Sequence, residues 1–252
     1  MRTRPTLALV VALLASLALA SEALAWSPPL TAGTAVTAAQ ARLTADELKP
    51  PIVRRFIPYP AKRAAQMRDY SLRHYGDHTE ILTDPKVIVE HYTTSHDWRD
   101  AWWYFAANRP ARGERPGVCS HFVIGTDGTI YQVMPLTIRC RHATGLNNTA
   151  IGIEDAGISD KEIMNNKKEM EASYRLTLWL MAKFSIPVKD VIGHNEIIFS
   201  PWHHDLVPRF RCMRHEDWNR RHMTIYRHEL RRRAVAAGID PGPAPVWVHP
   251  HC

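Results

Sequence analysis

Three short apolar runs, each closing on an ionisable side chain, constrain this 252-residue chain more than any other feature. Val87, Ile88 and Val89 lead to His91, Ile151 and Ile153 lead to Glu154, and Val191 and Ile192 lead to His194. The first run is continuous, as in a strand covered on both faces, and the second sets its two isoleucines on one face. "SHFVIGTDGTIYQVMP" predicts a hairpin turning at Asp127-Gly128, a pair suited to positive φ. "HDWRDAWWYFAANRP" predicts a short helix ending before Pro110, with Trp98, Trp102 and Phe105 at helical spacing. Ser159 and Glu162 have capping-box spacing ahead of a longer helix. On it Met170, Tyr174, Leu178 and Met181 recur at helical intervals, widened by Leu176, Leu180 and Phe184 into a core stripe. "HEDWNRRHMTIYRHELRRRAVAAG" reads as a basic C-terminal helix. Strands and helices intermingle, which predicts an α/β fold: a mixed central β-sheet covered by helices.

The chain opens with Arg2 and Arg4 ahead of an apolar run from Leu7 to Leu19, closed by small residues before Trp26. That run is too short to span a bilayer and reads as a signal peptide over residues 1–25. An exported protein, periplasmic or secreted, with no transmembrane segment and starting at Trp26 is expected. Residues 26–84 read as an N-terminal extension, with the Arg and Lys residues between Pro50 and Asp84 on a solvated face. Residues 85–238 form the main domain, including the C-terminal helix, and 239–252 a tail. The formal charge of +7 becomes +6 without Arg2, Arg4 and Glu22, and a basic exported protein favours anionic partners. A cell wall or an acidic surface serves such a charge as well as nucleic acid does. All four cysteines, Cys119, Cys140, Cys212 and Cys252, follow the leader, and an even number in an oxidising compartment predicts two disulfides. Cys119 and Cys140 flank the hairpin, which favours joining them. The chain has no CxxC pair for a cysteine zinc ribbon and no GxSxG element.

The chemistry-bearing residues lie where the strands end, the place where α/β sheets put ligands. A catalytic zinc takes imidazole nitrogen or carboxylate oxygen from three protein groups and keeps a fourth position open. His91, His194 and Asp205 are a candidate set. With 14 histidines in the chain, each single histidine also has a structural or surface reading, and the distance between His91 and His194 hides them from any short zinc pattern.

"VIVEHYTTS", "SHFVIGTDGTIYQVMP", "RHATGLNNTAIGIEDAG" and "VIGHNEIIFSPWHHDLVP" together resemble the zinc-dependent N-acetylmuramoyl-L-alanine amidases of type 2, relatives of phage lysozyme amidases and peptidoglycan recognition proteins. The resemblance covers residues 86–210, about half the chain. It implies a Zn2+ cofactor held by His91, His194 and Asp205. Asp205 stands eleven residues after His194, a longer gap than in many relatives, and His204 and His203 compete for that third position. It further implies Glu154 as general base, His203 as oxyanion stabiliser in place of a lysine two positions before the third ligand, and His142 as a substrate-binding or structural residue. His121 is expected to support the strand. Trp98, Trp102 and Trp103 either pack in the core or line a groove, and the basic C-terminal helix is either a solvated face or an attachment to wall polymers. The implied partner is peptidoglycan or its muropeptides, with no nucleic acid, and the expected state is a monomer. The activity implied is hydrolysis of the amide between N-acetylmuramic acid and L-alanine. The alternatives are a peptidoglycan-binding module without catalysis and a zinc peptidase cutting within the stem peptide.

Overall fold

A computed structural model describes residues 42–250; the expected signal peptide, the start at Trp26 and Cys252 lie outside the described residues. In chain order the elements are α1 (Ala45–Leu48), β1 (Val53–Arg54), α2 (Ala61–Tyr75), β2 (Val87–Tyr92), α3 (Trp98–Ala106), β3 (Phe122–Ile124) and β4 (Ile130–Gln132). They continue with β5 (Ala150–Asp155), α4 (Asp160–Asn165), α5 (Lys167–Phe184), β6 (Val191–Gly193) and α6 (Arg220–Ala236). The six strands form one mixed sheet in the order β1-β4-β3-β5-β2-β6, in which only β3 and β4 are antiparallel. This is the expected α/β architecture.

The register of the two central strands decides where the chemistry sits. β2 and β5 run parallel with Val87 opposite Ala150, His91 opposite Glu154 and Tyr92 opposite Asp155. Side chains alternate along a strand. Ile88, Ile151 and Ile153 therefore enter the main core, with Leu176, Leu180 and Trp179 of α5 and Met223, Tyr226 and Leu230 of α6. Val87, Val89 and Ala150 face the other way, against Ala143, Leu146, Ile192 and Ile197. His91 and Glu154 share this second face, off which the helices α5 and α6 do not pack. Glu90, on the helical side, accepts hydrogen bonds from the Thr177 and Tyr226 hydroxyls, each at 3.0 Å, and so ties both helices to β2. Burial raises its pKa to about 7.

Local chemistry explains three departures from the sequence pattern. The stretch read as one helix from Ser159 is two, because Asn166 leaves the helical region and caps α5 by accepting from the Lys168 and Glu169 amides. α6 starts at Arg220, capped by Asn219, and residues 215–219 are an irregular segment rather than the first turn of that helix. Arg63 of α2 is not on a solvated face: it is 1% exposed and donates to the carbonyls of Phe105 and Val118, and desolvation lowers its pKa to about 10. An interior guanidinium stays there because backbone acceptors replace the water it loses.

Cys119 and Cys140 are joined, as the hairpin suggested, and Cys212 is also disulfide-bonded. The first bridge closes 21 residues of sequence beneath α3, where Phe105, Val123 and Val133 form a second apolar cluster. Replacing Cys119 and Cys140 by serine is expected to lower stability by about 3 kcal/mol, the chain-entropy value for a loop of this size. The midpoint of urea unfolding under non-reducing conditions measures it.

Candidate functional site

β2 and β6 are neighbours, with Glu90 opposite Gly193, so His91 and His194 leave the sheet side by side. Their rings lie 4.3 Å apart. A carboxylate joins them from far along the chain. Asp217 lies 3.0 Å from His194 Nδ1 and 3.4 Å from His91 Nδ1, and one donor atom from each of the three residues lies within 4.8 Å of the others.

Asp217 is held there by backbone docking. A Cβ on Gly193 would come 1.8 Å from the Trp218 carbonyl oxygen, so only glycine lets the returning segment approach. The Asn195 amide donates to the Asp217 carbonyl at 2.9 Å, and the Trp218 indole donates to the His91 carbonyl at 3.1 Å. On the far side the Asp160 carboxylate accepts from the Trp218 and Asn219 amides at 2.7 and 2.8 Å. Trp218 is fully buried and adopts φ +50°, a conformation that costs a non-glycine residue roughly 1–2 kcal/mol. Burying its ring returns roughly 2–3 kcal/mol, and each hydrogen bond about 1 kcal/mol, so the anchored conformation wins. Behind His194, Glu196 accepts from the Gly193 amide and pairs in bidentate fashion with Arg227 of α6.

Hydrogen bonds fix the tautomers. His142 Nε2 donates to the Ala150 carbonyl, which leaves its Nδ1 to accept from His91 Nε2 at 3.1 Å. The His91 Nδ1 lone pair is thereby directed at Asp217 and His194, the orientation that an outer partner imposes on a metal-binding histidine. His142 packs on bare backbone, since a Cβ on Gly152 would lie 2.8 Å from its ring. His121 supports the same place, accepting from the Gly152 amide and donating to the Ile138 carbonyl. Burial lowers the pKa of His91 to about 4, helped by the neighbouring His194, and lowers those of His142 and His194 as well. Burial opposes the ionisation of Asp217, but the histidines beside it hold its carboxyl far below the usual range. Two neutral imidazoles and one carboxylate are the protonation states that a divalent metal requires, and N₂O with an open side is a catalytic zinc donor set.

These residues line a cavity of about 310 Å³ that also contains Glu154 and His215. Burial, and then the charge of Asp217, raise the Glu154 pKa to about 8. His215 stacks on His194 with ring centroids 3.4 Å apart, its Nε2 has no partner among the described residues, and burial lowers its pKa to about 4.

The structure thus brings together His91, His194, Glu154 and His142, and it replaces Asp205 by Asp217 in the triad. Asp205 is turned away: its oxygens lie 2.9 and 3.0 Å from His74 Nδ1 of α2, and one accepts from the Val207 amide. His203 packs over Gly145, whose Cβ would meet its ring at 2.2 Å, and lines no part of this cavity. The His204 amide donates to the Gly145 carbonyl, and the residue is likewise outside the cavity. The missed residues are Asp217 and His215. Their signal was in the sequence: His215-x-Asp217 repeats the spacing of His203-x-Asp205, but within a stretch whose charge pattern reads as helix.

The profile of a family described as N-acetylmuramoyl-L-alanine amidase matches residues 82–243. No curated protein matches the chain. Among solved structures, the N-acetylmuramoyl-L-alanine amidase LysC from Clostridium intestinale URNW is 25% identical, over 58% of this chain and 83% of that one, with a TM-score of 0.41. A mutant endolysin from Bacillus subtilis is 22% identical over 58% and 85%, with a TM-score of 0.41. Drosophila PGRP-LB is 21% identical over 46% and 74%, with a TM-score of 0.40.

The raised pKa of Glu154 has a sign that can be tested. Between pH 4.5 and about 8 the folded metal-free protein holds a proton on Glu154 that the unfolded chain releases. Stability therefore falls as pH rises through that window. Glu154→Gln cannot ionise, and metal-free E154Q is expected to gain on the metal-free wild type by a few kcal/mol in total between pH 5 and 8. Urea unfolding of the two proteins at both pH values measures the difference, and common contributions such as that of Glu90 cancel.

Proposed function

The chain belongs to the N-acetylmuramoyl-L-alanine amidase family and is an enzyme acting on peptidoglycan, and we propose that it is an exported, zinc-dependent hydrolase of the amide between the lactyl group of N-acetylmuramic acid and L-alanine. The observation that carries this reading is the convergence of His91, His194 and Asp217 within 4.8 Å in the wall of the cavity that contains Glu154. Export rests on the leader-like pattern of residues 1–25. Among the described residues no helix is long and apolar enough to cross a membrane.

His91, His194 and Asp217 would hold the zinc, which when bound supplies Lewis acidity to the carbonyl and lowers the pKa of water. Glu154 takes the proton of the attacking water and passes it to the departing alanine nitrogen. Its position on β5, directly across from His91, supports this role: a strand rather than a flexible loop carries it in the wall of the cavity that the candidate metal ligands share. Glu154 would ionise more readily with a divalent cation held by these ligands, because a nearby positive charge favours the carboxylate against the desolvation that raises its pKa. His215 takes the role first assigned to His203: a neutral ring, stacked on His194, donates a hydrogen bond to the developing oxyanion. His142 positions His91.

Zinc-loaded protein incubated with purified muropeptides is expected to release stem peptides with a free N-terminal alanine, read by mass spectrometry, and a chelated control releases none. Glu154→Gln is expected to keep its zinc and to lose about 100-fold or more in turnover. Cleavage between stem amino acids, or intact muropeptides with zinc bound, contradicts the proposal.

A further inference from the structure

The metal-site cavity opens on two sides into unlike surroundings. On one side a cavity of about 470 Å³ continues from Glu154 past Thr93, Thr94 and Ser95 to Asp100, and no basic residue among the described residues lines it; Tyr104 borders this cavity and the next. On the other side a cavity of about 380 Å³ continues from His194 and His215 past Thr144 and Asn147 to Arg112 and Arg141, and no acidic residue among the described residues lines it. The groove is therefore polarised across the candidate reaction centre.

Its one uncommitted cation among the described residues is Arg112. The Arg141 guanidinium is buried and donates to the carbonyls of Ala111, Glu114 and Pro116. Arg112 is exposed in the cavity wall and makes no ion pair with any described residue. It is nevertheless held firmly. Ala111 and Glu114 exchange backbone hydrogen bonds at 3.0 and 3.1 Å around Arg112 and Gly113, whose φ values of 53° and 79° make a tight turn of the primed kind. Glu114 is clamped by His74 Nε2 at 2.8 Å and by Arg209 at 3.2 Å, and His74 is in turn gripped by Asp205. A non-glycine residue at positive φ, fixed by its surroundings and aimed into a groove, is the kind of strain found at ligand clamps.

We propose that Arg112 is a specificity-determining residue that binds the carboxylate on the second residue of the stem peptide, and that the groove is thereby oriented with peptide toward Arg112 and sugar toward Thr94 and Asp100. This rests on the amidase reading. In an uncross-linked muropeptide the N-acetylated sugar is neutral and its lactyl carboxyl is consumed in the scissile amide, so negative charge belongs to the peptide alone. The nearest such charge to the scissile bond is the α-carboxylate of the γ-linked second residue. An arginine fork suits a carboxylate, whereas an amide in its place forfeits the charge-assisted pair. The Asp100 charge repels that anion, and the Thr93, Thr94 and Ser95 hydroxyls around it offer hydrogen bonds to a sugar.

The test uses two N-acetylmuramoyl tripeptides that differ only in a free α-carboxylate or an α-amide on the second residue. Titration calorimetry with zinc-loaded Glu154→Gln is expected to find the acid form bound about 10-fold tighter or more, and adding Arg112→Ala removes that preference while leaving affinity for the amide form unchanged. Arg112→Asn, which tolerates positive φ, is expected to behave as Arg112→Ala does, which separates lost charge from a disturbed turn. In otherwise wild-type enzyme Arg112→Ala raises KM for the acid form about 10-fold with kcat nearly unchanged. Equal weakening of both forms, or no change in either, overturns the assignment. Release of no peptide from either form by the wild type overturns the amidase reading instead, while the calorimetric preference still decides the role of Arg112.

Discussion

The site depends on the docking of Asp217 and Trp218 against Gly193. His91 and His194 are placed by neighbouring parallel strands, so the sheet alone guarantees their proximity. The carboxylate has no such guarantee. It reaches them because Gly193 lacks a side chain, because the Trp218 indole finds the His91 carbonyl, and because Asp160 satisfies the amides that the turn into α6 leaves open. The first is steric, and the other two are hydrogen bonds made where water is excluded, so losing one leaves a buried group unpaired rather than merely weakening a contact.

The two faces of β2 and β5 divide the work. The helical face buries an apolar core and uses Glu90 to fasten α5 and α6. The open face carries His91 and Glu154 as a cross-strand pair, backed by His142 lying on Gly152 and by His121. A single-residue slip of β5 against β2 would put Glu154 among the helices and Asp155 at the site. The long register, with six paired positions, forbids that slip.

Most of this architecture was legible in the chain. The β2, β5 and β6 runs, the Asp127-Gly128 turn and the α5 stripe all declare themselves by periodicity, and His91, His194 and Glu154 stand at the ends of those runs. The acidic member of the group, Asp217, was not legible, for a physical reason. Residues 215–219 are irregular, are held by tertiary contacts to Asp160, Gly193 and Asn195, and have no period of their own. Their charges merge with those of α6, while Asp205 lies nearer to His194 with the same histidine two residues before it. Likewise, Arg63 follows the pattern of a surface helix, and only the approach of the Phe105 and Val118 carbonyls makes it an interior residue.

The identity of the carboxylate in the triad is the central claim, and zinc affinity measured by competition with a chromogenic chelator addresses it most directly. Asp217→Asn is expected to lose stoichiometric zinc, binding about 100-fold more weakly or worse, while Asp205→Asn keeps one zinc with near wild-type affinity and melts at a lower temperature because the tie to His74 is weakened. Zinc lost from Asp205→Asn and retained by Asp217→Asn would contradict the account.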